Sequence, residues 1–323
     1  MKIGIYGYGN LGKGVELAVD KNSDIELQAI FTRRNPKDIV TTSNVPVIST
    51  DKVLEWKDKI DVMVICGGSA TDLPIMTPML SEHFNVVDSY DNHSNIYNHY
   101  MNVNTIAKSS NKVALISCGW DPGMFSLNRL YANSILPDGK NYTFWGRGVS
   151  QGHSNAIRRI SGVIDAKQYT IPIEEALNKV REGLSPELNT REKHRRDCYV
   201  VIEDGADKER ICDEIVNMPD YFADYDTTVN FISNEELKEK HSALPHGGSV
   251  IRTGYTSDNN KHRIEYTLNL DSNPEFTGIV LASFARAVKK MYDRGTFGCK
   301  TVFDIAPIDL FAGNEEELIK KLL

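Results

Sequence analysis

Two aspartates, Asp91 and Asp121, stand where a chain of this kind does chemistry, each just past an apolar run that reads as a strand. They lie in Tyr90-Asp91-Asn92-His93 and in Gly119-Trp120-Asp121-Pro122-Gly123. A carboxylate so placed can hold a substrate ammonium or manage a proton. Asp before Pro is equally a turn residue, and the residues alone leave both roles open. Further along are polar groups that could meet a ligand: Gln151-Gly152-His153-Ser154, Thr170, the basic run Arg191-Glu-Lys-His-Arg-Arg196, Pro245-His246-Gly247-Gly248 and Asn273. Each has an ordinary reading beside the functional one. Gly152 is also a loop glycine, Thr170 a β-former, Asn273 a helix cap, His246 a turn residue, and the basic run a solvated face.

The element that must position the aspartates is the first strand with the turn that ends it. Residues 2–6 form a short apolar run, followed by Gly7-Tyr-Gly9-Asn10-Leu11-Gly12 and a helical stretch over 13–19. Strand, G-x-G-x-x-G turn and helix together form the fingerprint of a dinucleotide site. Gly7 permits the turn, Gly9 lets a pyrophosphate approach the backbone, and Gly12 lets the helix pack closely; the helix N-terminus offers N–H groups to phosphate. About 20 residues on, NAD sites carry an acidic residue for the ribose 2′-hydroxyl. Here the string is Phe31-Thr32-Arg33-Arg34. Two guanidiniums and a hydroxyl attract a 2′-phosphate, which favours NADP over NAD. An ordinary basic turn, with Lys37 nearby, would look the same.

Apolar runs at 25–31, 62–66, 85–88 and 113–117 continue the strand–helix alternation of a doubly wound parallel sheet. Ligands in such sheets lie beyond the carboxyl ends of the strands. This directs attention to Thr32 to Arg34, Gly67-Gly68-Ser69, Tyr90 to His93 and Gly119 to Gly123. After about residue 125 the texture changes, with strands expected near 142–145, 168–171, 198–202, 227–232, 249–252 and 263–270. Helices are expected at 174–182 and 206–217, in all an α+β domain with an open, largely antiparallel sheet. A long helix is expected over 274–292, capped by Asn273 with Pro274 in its first turn, and a short one over 315–323. The expected division is 1–122, rejoined by about 294–323, and 123–293.

The 37 basic and 44 acidic residues leave a net charge of −7, which argues against a general nucleic-acid binder. No apolar stretch approaches the roughly 18 residues of a membrane span, and the N-terminus enters the first strand directly, without a signal peptide. Five cysteines without C-x-x-C spacing read as free thiols of a reducing cytoplasm. Eight histidines show no H-E-x-x-H, and no metal site is expected.

The strand-end strings also carry a resemblance. Gly7-Tyr-Gly-Asn-Leu-Gly12, Phe31-Thr-Arg-Arg34, Gly68-Ser-Ala-Thr-Asp72, Tyr90-Asp-Asn-His93, Gly119-Trp-Asp-Pro-Gly-Met124, Phe144-Trp-Gly146, Gln151-Gly-His-Ser154, Pro245-His-Gly-Gly248 and Asn273-Pro274 occur in this order. In them the chain resembles, over its whole length, the bacterial NADP-dependent meso-diaminopimelate dehydrogenases, most of all their narrow-specificity homodimeric branch. The resemblance implies a Rossmann-type nucleotide domain and a second domain for substrate and dimerisation. It implies oxidative deamination of the D-centre of meso-2,6-diaminopimelate, giving L-2-amino-6-oxopimelate and ammonium. It places substrate on Asp91, Asp121, Trp145, Gln151, Gly152, Thr170, Arg196, His246 and Asn273. Cofactor would lie along Gly7 and Gly9 to Gly12, Thr32 to Arg34, Cys66 with Gly67, Gly68 and Ser69, Ser89 with Tyr90 and Asp91, and Trp120, Asp121, Pro122, Gly123 and Met124. The proton-transfer group stays open between Asp121 and Asp91 acting through a water. A broad D-amino acid dehydrogenase and a non-enzymatic NADP sensor are the rival readings.

Overall fold

The computed structural model describes residues 1–323. Fourteen strands follow in chain order: β1 (Lys2–Tyr6), β2 (Glu26–Thr32), β3 (Val47–Ser49), β4 (Val62–Ile65), β5 (Asn85–Asp88), β6 (Val113–Leu115), β7 (Gly139–Trp145), β8 (Gly148–Val149), β9 (Val163–Pro172), β10 (His194–Ile202), β11 (Asp226–Phe231), β12 (His246–Ser257), β13 (Asn260–Leu270) and β14 (Gly298–Lys300). The chain divides into two compact units, Met1–Leu127 with Pro274–Leu323, and Asn128–Asn273.

The first unit is built on one parallel sheet in the order β14-β6-β5-β4-β1-β2-β3. Its strands are apolar on both faces because both faces are covered. Along β4, Val62 and Val64 join one core with Ile3, Ile5, Val15 and Leu281, while Met63 and Ile65 join another with Phe31, Leu73, Leu80 and Val103. Helices Asn10–Asp20 and Asn273–Asp293 therefore lie on one face, and Leu73–Ser81 and Ile96–Ser109 on the other. From β1 the chain builds outward to β2 and β3, then returns to β4 and builds the other way. The strand order reverses between β1 and β4, so the ligand crevice of such a sheet opens at their carboxyl ends.

The domain boundary differs from the expected one. The long helix does not belong with residues 123–293: Val280, Leu281, Phe284, Ala285 and Val288 pack into the core of the parallel sheet. A helix's apolar stripe says that it is buried, not which sheet buries it. The contact is tight because both helices carry a glycine there. A Cβ on Gly14 would stand 2.2 Å from the Pro274 oxygen, and one on Gly278 would stand 2.3 Å from the Gly14 carbonyl carbon. Gly278→Ala should destabilise the protein by about 1–3 kcal/mol through overpacking, despite alanine's better helix propensity. Denaturant unfolding checks this; an unchanged midpoint would contradict the packing.

In the second unit the strands form two sheets. β11-β10-β9-β8 is mixed, with β10 parallel to β11, and β13-β12-β7 is antiparallel. Helices Gln151–Arg158 and Lys208–Val216 cover the first through Ile157, Ile211 and Ile215 against Ala166, Cys198 and Val200. Helix Glu174–Arg181 covers the second, with Leu177 and Val180 against Tyr142, Phe144 and Ile251. The chain passes from β7 in one sheet to β8 in the other through Gly146 and Arg147.

Candidate functional site

In the first unit every expected cofactor segment falls at the carboxyl end of a parallel strand. After β1, Gly7 has φ +98° and donates its N–H to the Phe31 oxygen at 2.9 Å. Gly12 is held so close that a Cβ would sit 2.3 Å from the Gly7 oxygen, whereas a Cβ on Gly9 would meet nothing within 4 Å. The first helical bond runs from Lys13 N–H to the Gly9 oxygen at 3.1 Å. Open space in front of a helix's first turn is what a pyrophosphate needs.

After β2, Thr32 is buried and its hydroxyl accepts the Arg34 N–H at 3.1 Å, so its side chain serves the turn. The basic string is not a freely solvated turn. Arg34 donates to the Tyr8 carbonyl oxygen inside the glycine loop, and Arg33 forms a two-bond fork with Asp72 beyond β4. The following loop is pinned by Glu16, which is buried in the first helix. Its carboxylate accepts the Thr42 and Ser43 N–H groups at 3.1 and 2.8 Å and the Tyr8 hydroxyl. Arg34 is thus held at the glycine turn and Arg33 at the loop after β4, an arrangement that fits a dinucleotide carrying an extra phosphate.

After β5 and β6 a buried carboxylate organises two turns at once. Asp88 Oδ1 accepts the N–H of Tyr90 at 3.0 Å and of Ser117 at 2.9 Å; Oδ2 accepts the Thr77 hydroxyl at 2.7 Å and meets His99 Nε2 at 3.0 Å. Tyr90 stacks on His99 with centroids 4.2 Å apart, so its ring packs inward. Ser69 joins the set by accepting the Asp91 N–H at 2.8 Å, while the Asp91 side chain is exposed. Trp120 is largely buried edge-on against Phe125 at 5.3 Å, and Gly119 N–H closes the next turn on the Pro122 oxygen at 2.8 Å. Burial pushes the Cys66 thiol up, which keeps it neutral.

In the second unit the register brings the polar residues together. Gly148 pairs with Thr170, Thr170 with Arg196, and Arg196 with Thr227, across four strands. Arg196 is 5% exposed and donates to the Thr170 hydroxyl; its guanidinium lies 3.8 Å from the Tyr225 ring centroid. No carboxylate pairs with it. Its buried Nε, both side-chain amide atoms of Gln168 and the Thr227 hydroxyl have no hydrogen-bond partner. The other two arginines of the run are spoken for: Arg191 pairs with Asp226 and Arg195 with Asp197, each at 2.9 Å. Strand alternation turns Arg196 inward and Arg195 outward. A buried cation without a counter-ion is costly, and a ligand carboxylate would relieve that cost.

The other expected residues of this unit lie at the ends of its strands. The His246 ring covers Gly148, where a Cβ would meet its Cγ at 2.4 Å. Its Nδ1 lies 2.8 Å from the Gly247 nitrogen. Trp145 ends β7 opposite Gly248, and Asn273 N–H donates to the Leu244 oxygen at 2.9 Å. Gln151 and Gly152 open the helix that follows β8; both are exposed, and Ser150 caps that helix. Gln168, Tyr225 and Thr227 were not singled out from sequence, and His153 and His194 were given no role of their own within their strings. A strand begun at 194 rather than 198 would have drawn in His194.

His194 and His153 are held neutral. Burial, with the Arg196 charge adding to it, pushes each down to about 3. His194 Nε2 accepts the Trp145 N–H at 2.8 Å, a bond that protonation would break. The folded state therefore binds fewer protons than the unfolded one between pH 3 and 6.5, the ordinary histidine value. Stability is fully present above about pH 6.5 and falls as the pH drops, by about 2 kcal/mol per histidine between pH 6.5 and 5. His194→Gln, which keeps an acceptor for Trp145, should flatten this acid limb in urea unfolding. An unaltered limb would show that His194 does not contribute.

A doubly wound sheet with a glycine turn and two adjacent arginines, together with a second unit that holds a buried guanidinium without a carboxylate partner, is the make-up of a nicotinamide-nucleotide-dependent oxidoreductase with a substrate domain. Comparison with known proteins narrows the class. Residues 119–272 match the family model for the diaminopimelic acid dehydrogenase C-terminal domain. The chain is 60% identical to a meso-diaminopimelate D-dehydrogenase of Acetivibrio thermocellus, covering 100% of this chain and 98% of the relative. It is 56% identical to that of Ureibacillus thermosphaericus, covering 100% and 99%. Among solved structures, C. glutamicum DAP dehydrogenase in complex with DAP is 44% identical with a TM-score of 0.94, covering 100% of this chain and 99% of that one. An engineered D-amino acid dehydrogenase bound to NADP+ is 42% identical with a TM-score of 0.91, with the same coverage. The chain belongs to the meso-diaminopimelate D-dehydrogenase family.

Proposed function

We propose that this chain catalyses the reversible, NADP-dependent oxidative deamination of the D-centre of meso-2,6-diaminopimelate, giving L-2-amino-6-oxopimelate and ammonium. The observation that carries the reading is Arg196, a buried guanidinium that lacks an acidic partner and lies in a row of strand hydroxyls. Substrate with a carboxylate at each end supplies the missing anion.

NADP, when bound, accepts hydride and spares the protein any covalent chemistry. Its pyrophosphate is assigned to the turn Gly7 and Gly9 to Gly12, and its 2′-phosphate to Arg33 and Arg34 beside Thr32. Cys66 to Ser69, Ser89 to Asp91 and Trp120 to Met124 line the remainder of its path. Arg196, Thr170, His246 and Asn273 hold the carboxylates and the distal L-centre; Trp145 walls the pocket, and Gln151 and Gly152 contribute from the helix start. Asp91 and Asp121 serve the reacting end, where they hold the ammonium and, through a water, take the proton released as the amine becomes an imine. Hydrolysis of that imine gives the oxo acid. These roles need the substrate held close and water excluded.

No helix is long and apolar enough to cross a membrane. The cysteines without disulfide spacing support a cytoplasmic setting, and the family likeness supports a homodimer. Initial rates on meso-diaminopimelate, D-lysine and D-alanine test the specificity. A strong preference for meso-diaminopimelate is expected; comparable rates would make the protein a broad D-amino acid dehydrogenase, and NADPH binding without turnover would make it a sensor.

A further inference from the structure

Beyond β4 stands a carboxylate that the proposed reaction does not use. Asp72 occupies the N-cap position of helix Leu73–Ser81, yet its side chain makes no capping bond. Instead Oδ2 accepts the Gly68 N–H at 2.9 Å, and the two oxygens accept Arg33 Nη1 at 2.9 Å and Nη2 at 3.0 Å. The loop wraps this carboxylate. Asp72 and Leu73 N–H both donate to the Gly68 oxygen, at 2.9 and 3.1 Å, and a Cβ on Gly67 would stand 2.8 Å from the Asp72 Cβ. One residue thus ties the loop after β4 to the arginine after β2. The Arg33 side chain is 65% exposed and that of Asp72 21%, and an ion pair so placed contributes little to folding. Such a fork does fix a guanidinium's plane and direction.

We propose that Asp72 is a positioning residue for the 2′-phosphate of NADP. It grips Arg33 by both terminal nitrogens and leaves the Nε–H and the flat faces of the guanidinium to the ligand. This deepens the cofactor assignment and rests on Arg33 meeting the 2′-phosphate. Without the fork, Arg33 is a long, exposed side chain that each binding event must order, and ordering costs affinity. With it, the arginine and the Gly68 loop form one preset wall. The effect is selective because only NADP carries the group that Arg33 meets; NAD binds the same turn without it.

The test compares wild type, Asp72→Asn, Asp72→Ala, Arg33→Ala and the Arg33→Ala/Asp72→Ala double variant. KM for NADP+ and NAD+ and the Kd for NADPH by fluorescence titration are measured for each. Asp72→Ala should weaken NADP+ about tenfold and NAD+ less than twofold, and the double variant should be no weaker than Arg33→Ala alone, because Asp72 acts through Arg33. Asp72→Asn keeps an acceptor for Gly68, which guards against a misfolded loop, and should lose NADP+ selectivity in the same direction. Unchanged or tighter NADP+ binding in Asp72→Asn would overturn the proposal; tighter binding would mean that Asp72 competes with phosphate. Equal loss for both cofactors, or additive loss in the double variant, would also overturn it. Wild-type NADP+ affinity in Arg33→Ala sinks the phosphate assignment, and this inference with it. A loss in Arg33→Ala with none in Asp72→Asn sinks only the role of Asp72.

Discussion

Replacing Arg196 with methionine should lower kcat/KM for meso-diaminopimelate by about 100-fold or more, with NADPH affinity at the wild-type level. The size follows from the environment. Arg196 is buried, donates to Thr170, lies on the Tyr225 ring and has no carboxylate partner. A substrate carboxylate docking there gains a charge-assisted bond in a low dielectric, and its removal strands that carboxylate. Methionine fills similar volume without charge. Since an uncompensated buried charge is itself a burden, the variant should fold at least as stably as wild type. Thermal unfolding then separates a binding loss from a folding loss. Unchanged kcat/KM would reduce Arg196 to a structural cation.

The double change Arg33→Ala/Arg34→Ala should cost NADP+ about 100-fold in kcat/KM while NAD+ changes little, so that the cofactor preference narrows or inverts. The two side chains play different parts. Arg33 reaches the loop after β4 through Asp72, and Arg34 reaches the glycine turn through the Tyr8 carbonyl. Because the 2′-phosphate is highly charged, NADP+ binding by wild type should weaken with added salt, and this dependence should be shallower in the variant. Kinetics with both cofactors at two ionic strengths supply the readout. Equal losses for both cofactors would refute the assignment to the 2′-phosphate.

The strand ends that make up the candidate site were legible in the sequence where they are local. The glycine turn, the basic string after β2 and the aspartates beyond β5 and β6 are each a strand end plus a few residues, and strand ends can be read from apolar runs. What depends on distant pairing was not legible. The two sheets of the second unit were expected as one, because alternation gives faces but not partners. β3 and β14 are three residues each, too short to show a period. The long helix carries a clear apolar stripe, yet nothing in that stripe says that it packs on the parallel sheet, with its glycine against the first helix. Within the basic run, the inward turn of Arg196 needed a strand that starts at His194, four residues earlier than its apolar part suggests. Glu16, Asp72 and Asp88 look in sequence like ordinary helix and turn acids. Their roles come from partners 26, 39 and 29 residues away.

The most direct measurement of the central claim is NADPH formation with the separated LL, DD and meso isomers of 2,6-diaminopimelate. A site that holds one L-centre at Arg196, Thr170, His246 and Asn273 while presenting a D-centre to the cofactor predicts rapid turnover of the meso isomer. The LL isomer has no D-centre to oxidise and the DD isomer no L-centre to anchor, so neither should approach that rate. Turnover of DD or LL at the meso rate, or none with any of the three, would contradict the account.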